Sequence, residues 1–494
     1  MVSSTGRETL LLQTLWRLNI VLVVFVLFCL ASSSAFAACH TVTPSGSGSK
    51  TGADWNNPYA GIPATLTRGD IYYLADGTYP AYTFSQAASG TQTIELRKAQ
   101  SYDNCTSTGW STSTMGSAQA AFAGNPAISV GAPYLVMNGN GNSTASGCGG
   151  APGSTVTSEP PTPSDCGISF AGSGNTTSGA LNVISLGSSN ATFEYVELIA
   201  SGTNNIGGSG SLEIFGAAGG GYLTIKHMYA RNSGCVYVQD VGTNSLIDHS
   251  YFWGTEVYGA PGSDAFHCQA EFESGGTNNG VRSNIVYRDI TGTAVWTFAL
   301  GAGTDNNWQF YNNVVFFSSP QNSFGGLTDA VLDCINTGVE CTNFTFVQNT
   351  IVNCLANGVF GAVSCGIMFE NGNGSYIAEN NLWYSNPSGR ISFCCSGTSI
   401  TEDYNSFLNN SVGPGNGAHD LNVASGAPDP FANWQGSNFN LTSDNADWNN
   451  RLALGSPYNT DVNGNTFTSD RGAYQSTVAG TAPAAPTGLS AVVQ

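Results

Sequence analysis

Between residues 225 and 407 one short wording keeps returning: IKHMY (225–229), IDHSYF (247–252), VRSNIVY (281–287), FYNNVVF (310–316), FVQNTIV (346–352), AENNLWY (378–384) and EDYNSF (402–407). Each copy reads as an apolar or bulky residue, one or two variable positions, a polar side chain and then an apolar pair. With Tyr195 as a weaker first copy, the anchors His227, His249, Asn284, Asn312, Asn349, Asn380 and Asp403 follow at intervals of 22 to 37 residues. A supersecondary unit recurring at that period marks a solenoid, and short β-rich units without helical periodicity point to a parallel β-helix. Like positions on successive coils then lie above one another, about 4.8 Å apart. Asn284, Asn312, Asn349 and Asn380 are accordingly expected to form an internal ladder of amides, with His227 and His249 in the same column.

Working outward, the N-terminus carries Arg7 and Arg17 before an apolar run from Ile20 to Ala31, then Ala35-Phe36-Ala37. Twelve apolar residues are short for a bilayer span, and the small-x-small triplet suits cleavage, so 1–37 is read as a secretory signal peptide. The alternative is a lipid anchor on Cys39. Of thirteen cysteines one, Cys29, lies in that segment, and the remaining even number suits disulfides in an exported chain. Local pairs Cys148–Cys166, Cys334–Cys341 and Cys354–Cys365 are expected. The net charge is −19, and Lys occurs only at 50, 98 and 226. That disfavours a nucleic-acid partner, which calls for a basic stripe. It also disfavours a polyanion unless a local basic patch or Ca²⁺ intervenes. The expected partner is an extracellular polysaccharide and the expected state a monomer with no membrane span.

The chain then divides into an opening and capping module (38–110), a loop-rich insertion with the first coils (111–178), the repeat core (179–415), a C-terminal capping segment (416–476) and a tail (477–494). Gly69-Asp70-Ile71-Tyr72-Tyr73-Leu74 with Gly77-Thr78-Tyr79 resembles the opening of secreted right-handed parallel β-helix proteins of the pectate-lyase-like group. Asp429-Pro430-Phe431, Gly455-Ser456-Pro457 and Asp470-Arg471-Gly472-Ala473-Tyr474 resemble their closing pattern, in which the last strands fold over the end of the solenoid. The segment 482–490 resembles the first strand of a fibronectin type III module. The resemblance implies an all-β, right-handed parallel β-helix solenoid and leaves the activity open.

Ionisable residues crowd between Lys226 and Asp289. Lys226 and Asp248 are expected as vertical neighbours, with a weak surface ion pair as the plain structural account. Leu246-Ile247-Asp248-His249 resembles the W-I-D-H element of pectate lyases, with Leu246 in place of Trp. Asp264-Ala265-Phe266-His267 resembles a strand lining active faces of β-helix lyases and hydrolases. Two chemistries use such groups. Elimination from a uronic-acid glycan needs a base and a neutralised carboxylate; Lys226, Arg231, His249 and Asp264 are its candidates, with Asp240 and Asp248 as Ca²⁺ ligands. Hydrolysis needs a carboxyl pair drawn from Asp240, Asp248 and Asp264. Tyr251, Trp253, Tyr258 and His267 are candidate substrate contacts, although core filling accounts for aromatics equally well. A non-catalytic glycan-binding or adhesin-like rod is the contrary reading. Whether Lys226, Arg231 and Asp264 share one groove separates these alternatives.

Overall fold

The computed structural model describes residues 37–476 apart from internal segments, chiefly 149–164, 173–182, 201–214, 232–237, 256–271, 290–295, 318–329, 355–364 and 386–390, with shorter gaps between them. Its one α-helix among the described residues is the four-residue turn Thr112–Met115. The rest is strand and turn, with one 3₁₀ turn at Trp434–Gly436. A coil contributes one strand to a first sheet and turns a short corner into a second, and six coils among the described residues return through a third. The first sheet contains 13 strands and ends at Ser399–Asp403, the second contains 14, and the third contains six. Pairing within all three is parallel, and the first sheet keeps one register, as in Lys226↔Asp248↔Arg282↔Tyr311. Parallel crossovers close right-handed, and the chain is a right-handed parallel β-helix.

The corner between the first two sheets explains the repeated wording. Tyr195, His227, His249, Ser283, Asn312, Gln348, Asn380 and Tyr404 all have φ between 47° and 58°. A single left-handed residue turns the chain sharply, and Asn and His tolerate that region better than most residues. The residue after each one points inward. The amide ladder is therefore Asn284–Asn313–Asn349–Asn381–Asn405, linked Nδ2 to Oδ1 at 3.0, 3.0, 3.2 and 3.0 Å. Each Oδ1 also accepts the backbone N–H of the preceding ladder residue, and Ser250 donates its N–H to the first. Asn284 and Asn349 stand in the expected ladder. Asn312 and Asn380, and the histidines with them, are corner residues one position earlier. The rings of Tyr195 and His227 stack at 4.6 Å, and His227 lies 5.2 Å from His249.

The second sheet is buried on both faces, which is why the repeats read as unbroken apolar runs. Phe252, Val286, Val315, Ile351 and Trp383 point into the solenoid. Their neighbours Trp253, Tyr287, Phe316, Val352 and Tyr384 point out and are covered by Phe431, Phe439, Trp448, Val462 and Tyr474. The C-terminal segment is thus a strap along the flank of the coils, where an end cap was expected. It is fastened to the corner column: Asn380 pairs with both backbone groups of Leu452, Asn312 donates to the carbonyl of Thr460 at 2.7 Å, and His249 Nε2 meets the carbonyl of Val462 at 3.1 Å. The Asp-Arg-Gly-Ala-Tyr motif is its lock. Arg471 is fully buried and donates to the carbonyls of Asn405, His419 and Asn450.

Disulfides join Cys148–Cys166, Cys334–Cys341 and Cys354–Cys365, the three local pairs expected, and also Cys39–Cys105. The last of these engages Cys39, the residue of the lipid-anchor alternative. A thioether to lipid would use the sulfur that Cys39 shares with Cys105. No helix among the described residues is long and apolar enough to cross a membrane.

Candidate functional site

Along each strand of the first sheet, two positions face outward and flank one that faces in. The later outward column reads Arg97, Asn138, Glu194, Lys226, Asp248, Arg282, Tyr311. Its centre is a linked cluster. Asp248 accepts from His249 Nδ1 at 2.6 Å and from Arg282 Nη2 at 2.7 Å, while Arg282 Nη1 donates to the phenol of Tyr311 at 2.9 Å. Burial alone would raise the carboxyl of Asp248. The hydrogen bonds and charges of His249 and Arg282 outweigh it and hold the group at about 2. Burial likewise dominates at Tyr311 and pushes its phenol up despite the guanidinium beside it.

Beside this cluster lies a groove of about 370 Å³. Gly280 forms its floor between Leu246 and Gln309, Arg282 and Tyr311 form one wall with Pro457 of the strap, and Asn244, Asn278 and Asn307 form the other. Tyr458, next along the strap, meets Tyr311 edge to face at 5.0 Å. The site is therefore made partly by the solenoid and partly by the segment laid against it.

The residues singled out in sequence divide as follows. Lys226 lies directly above Asp248, as the spacing implied. Arg231 lies at the end of a second-sheet strand, Tyr229–Arg231, where it pairs with buried Glu197 at 2.7 Å. Lys226 and Arg231 therefore stand on different sheets, and the cation sharing the column of Lys226 is Arg282. His249 borders the groove cluster through Asp248. Tyr251 and Trp253 are buried under the strap, with Trp253 stacked on Tyr287 at 5.8 Å. Asp240, Tyr258, Asp264 and His267 lie outside the described residues. Arg282 and Tyr311 were not singled out, although their register was readable: each precedes the corner residue of its coil, as Lys226 and Asp248 do.

The same contacts bear on calcium. Ca²⁺ takes six to eight oxygens, several of them charged. Asp248 already has its charge matched by Arg282 and both oxygens hydrogen-bonded, so it does not fit such a site. Among the described residues no cluster of three or more His, Cys, Asp or Glu side chains could hold a metal.

The fold and this cleft define a class, a parallel β-helix with a polar groove on one outer face. No protein-family model matches the chain, and no curated protein matches it. Solved structures do resemble it. The pectate lyase Pel9A is 14% identical with a TM-score of 0.45, covering 90% of this chain and 98% of its own. A GH136 lacto-N-biosidase from Eubacterium ramulus is 11% identical with a TM-score of 0.37, covering 74% and 67%. A mannuronic acid specific polysaccharide family 6 lyase from human gut microbiota is 12% identical with a TM-score of 0.31, covering 78% and 82%.

Proposed function

We propose that this is an exported protein that binds an extracellular polysaccharide on the outer face of the first sheet. The groove over Gly280 carries the reading. It is open and polar, set on a sheet, and walled by a guanidinium that Asp248 holds and a phenol that this guanidinium holds in turn. Such a surface meets hydroxyl-rich ligands with preformed donors, without ordering costs in the protein. The four disulfides among the described residues suit an oxidising compartment outside the cytosol. The acidic balance and the absence of a basic stripe argue against nucleic acid.

Elimination from a uronic-acid glycan is the second reading, favoured by one observation. Lys226 and Arg282 lie in one outward column on either side of Asp248. Arg282 would neutralise the substrate carboxylate and Lys226 would take the adjacent proton, in the roles first considered for Lys226 and Arg231; the electron pair left behind forms the C=C bond as the glycosidic C–O bond breaks, and the leaving oxygen takes a proton from water. Digestion of a panel of neutral and acidic glycans, with and without Ca²⁺, read by mass spectrometry, tests both. Unsaturated products lost in Lys226→Ala would establish elimination. Binding without products, weakened in Arg282→Ala, would establish the binding protein. Hydrolysed products carrying an added water would move the chemistry to a carboxyl pair. No binding to any glycan would sink the proposal.

A further inference from the structure

The first sheet is entered through a second left-handed corner, and its side chains form a row on the surface. Tyr222, Asn244, Asn278, Asn307 and Asn343 each have φ between 56° and 58° and each stands two residues before its sheet position. Asn278, Asn307 and Asn343 are exposed. Asn278 Nδ2 donates to Asn244 Oδ1 at 3.2 Å, Asn307 Nδ2 donates to Asn278 Oδ1 at 2.9 Å, and Ser375 Oγ lies 3.3 Å from Asn343 Oδ1 on the next coil. A carboxamide has two N–H donors and two acceptor lone pairs. Asn278 uses one of each within the row, which leaves one donor and one acceptor at the surface. That pair matches two neighbouring hydroxyls of a sugar, one accepting and one donating.

Two further observations point to a ligand. Three large apolar side chains are exposed among the described residues: Tyr102, Tyr222 at 53% and Ile377 at 39%. Two of these, Tyr222 and Ile377, flank the row at opposite ends. Tyr222 is in the row itself, one coil before Asn244; Ile377 is on the adjoining sheet position, one coil beyond Asn343. The groove over Gly280 opens between them, against the middle of the row. An exposed aromatic ring offers an apolar face with a polar tip, which suits a pyranose.

We propose that this row is a track for an uncharged polysaccharide lying parallel to the solenoid axis, with Tyr222 stacking on one terminal sugar. This deepens the reading above and rests on it. Coils repeat about every 4.8 Å, and an extended pyranose chain advances by a similar distance per residue, so one amide serves each sugar. From Asn244 to Ser375 the row covers about 19 Å. The track itself contains no cation, so nothing in it selects a carboxylate; the cations of the elimination reading, Lys226 and Arg282, stand in the neighbouring outward column.

The test is calorimetric titration of the full chain with neutral β-1,4-linked gluco- and manno-oligosaccharides, from disaccharide to hexasaccharide, and with oligogalacturonates of the same lengths. Affinity is expected to rise with length for a neutral series and to level off once the row is filled. Glycine keeps the left-handed corner while removing the amide, so the double variant N278G/N307G should weaken binding about tenfold with little change in melting temperature. Tyr222→Ala should lower affinity only for the longest members, and it covers the case in which the glycine variant fails to fold. Undiminished affinity in both variants, or preference for the uronates, overturns the track. If binding survives both but is lost in Arg282→Ala, the groove reading stands and the track fails. No binding of any glycan ends both.

Discussion

Asp248 shows how one carboxylate can be read as catalytic in sequence and act as a support in structure. It is 5% exposed, and its ionised form is held by His249 and Arg282. Because its folded pKa lies below the ordinary carboxylate range, its contribution is complete above that range and is lost as pH falls through about 2. Asp248→Asn leaves Arg282 without its counter-charge. With Arg282 partly exposed, the loss should be about 2 kcal/mol, read as a lower denaturation midpoint at neutral pH and a shrinking difference in strong acid. Glu402 is the opposite case. It takes the inward position on the last coil of the first sheet, beside Asp420, which accepts the N–H of Asn405 at the foot of the ladder. Burial first, and Asp420 second, push its carboxyl up to about 9. A raised carboxyl favours the fold while protonated, so stability from this pair declines as pH rises from the ordinary carboxylate range through about 9. Glu402→Gln should flatten that decline, measured as melting temperature between acid and mildly alkaline buffer.

At the scale of the coil, much of the fold was legible because every coil repeats the same demand. A left-handed corner and a doubly buried strand produce the same wording seven times, with an inward polar residue after the corner in every copy but the first, where Met228 stands. The register at the corner was harder to read. In Asn312-Asn313 and Asn380-Asn381 two amides are adjacent, and only the fold decides which turns inward. His227 and His249 occupy the outer of the two positions, where ring stacking and the strap account for them. The groove was less legible still, since Gly280 and Arg282, Tyr311, and Pro457 come from two coils and a strap with no shared motif. The ladder register can be tested directly. Asn349→Ala removes the acceptor for two donors of Asn313 and leaves them buried; it should cost about 1–3 kcal/mol. Asn312→Gly keeps a compatible corner and loses chiefly the bond to Thr460. Equal losses in chemical denaturation would overturn the assignment.

For the whole molecule, the strap does what a helix or a second sheet does elsewhere, covering the outer face of a sheet that a β-helix leaves exposed. The aromatic residues of the second sheet would otherwise present a long apolar surface, a liability in any soluble chain. Its lock is Gly472. Its φ is +88°, and a Cβ there would meet Thr350 Oγ1 at 2.6 Å and Leu382 Cβ at 2.9 Å. Its N–H donates to the carbonyl of Asn380 at 2.7 Å, and the next N–H, of Ala473, donates to Thr350 Oγ1. Gly472→Ala combines backbone strain with a collision against the sheet, so it should loosen the strap by about 2 kcal/mol while leaving the internal ladder intact. Because Pro457 and Tyr458 belong to the same strap and line or border the groove, loosening at Gly472 should also weaken glycan binding without touching any groove residue. Limited proteolysis should therefore cut the variant first between residues 425 and 476, leaving a resistant core, and its affinity for whichever glycan the parent binds should fall in parallel. Cleavage spread evenly over all coils would mean that the strap and solenoid unfold as one unit; unchanged affinity despite early strap cleavage would mean that the solenoid alone forms the groove.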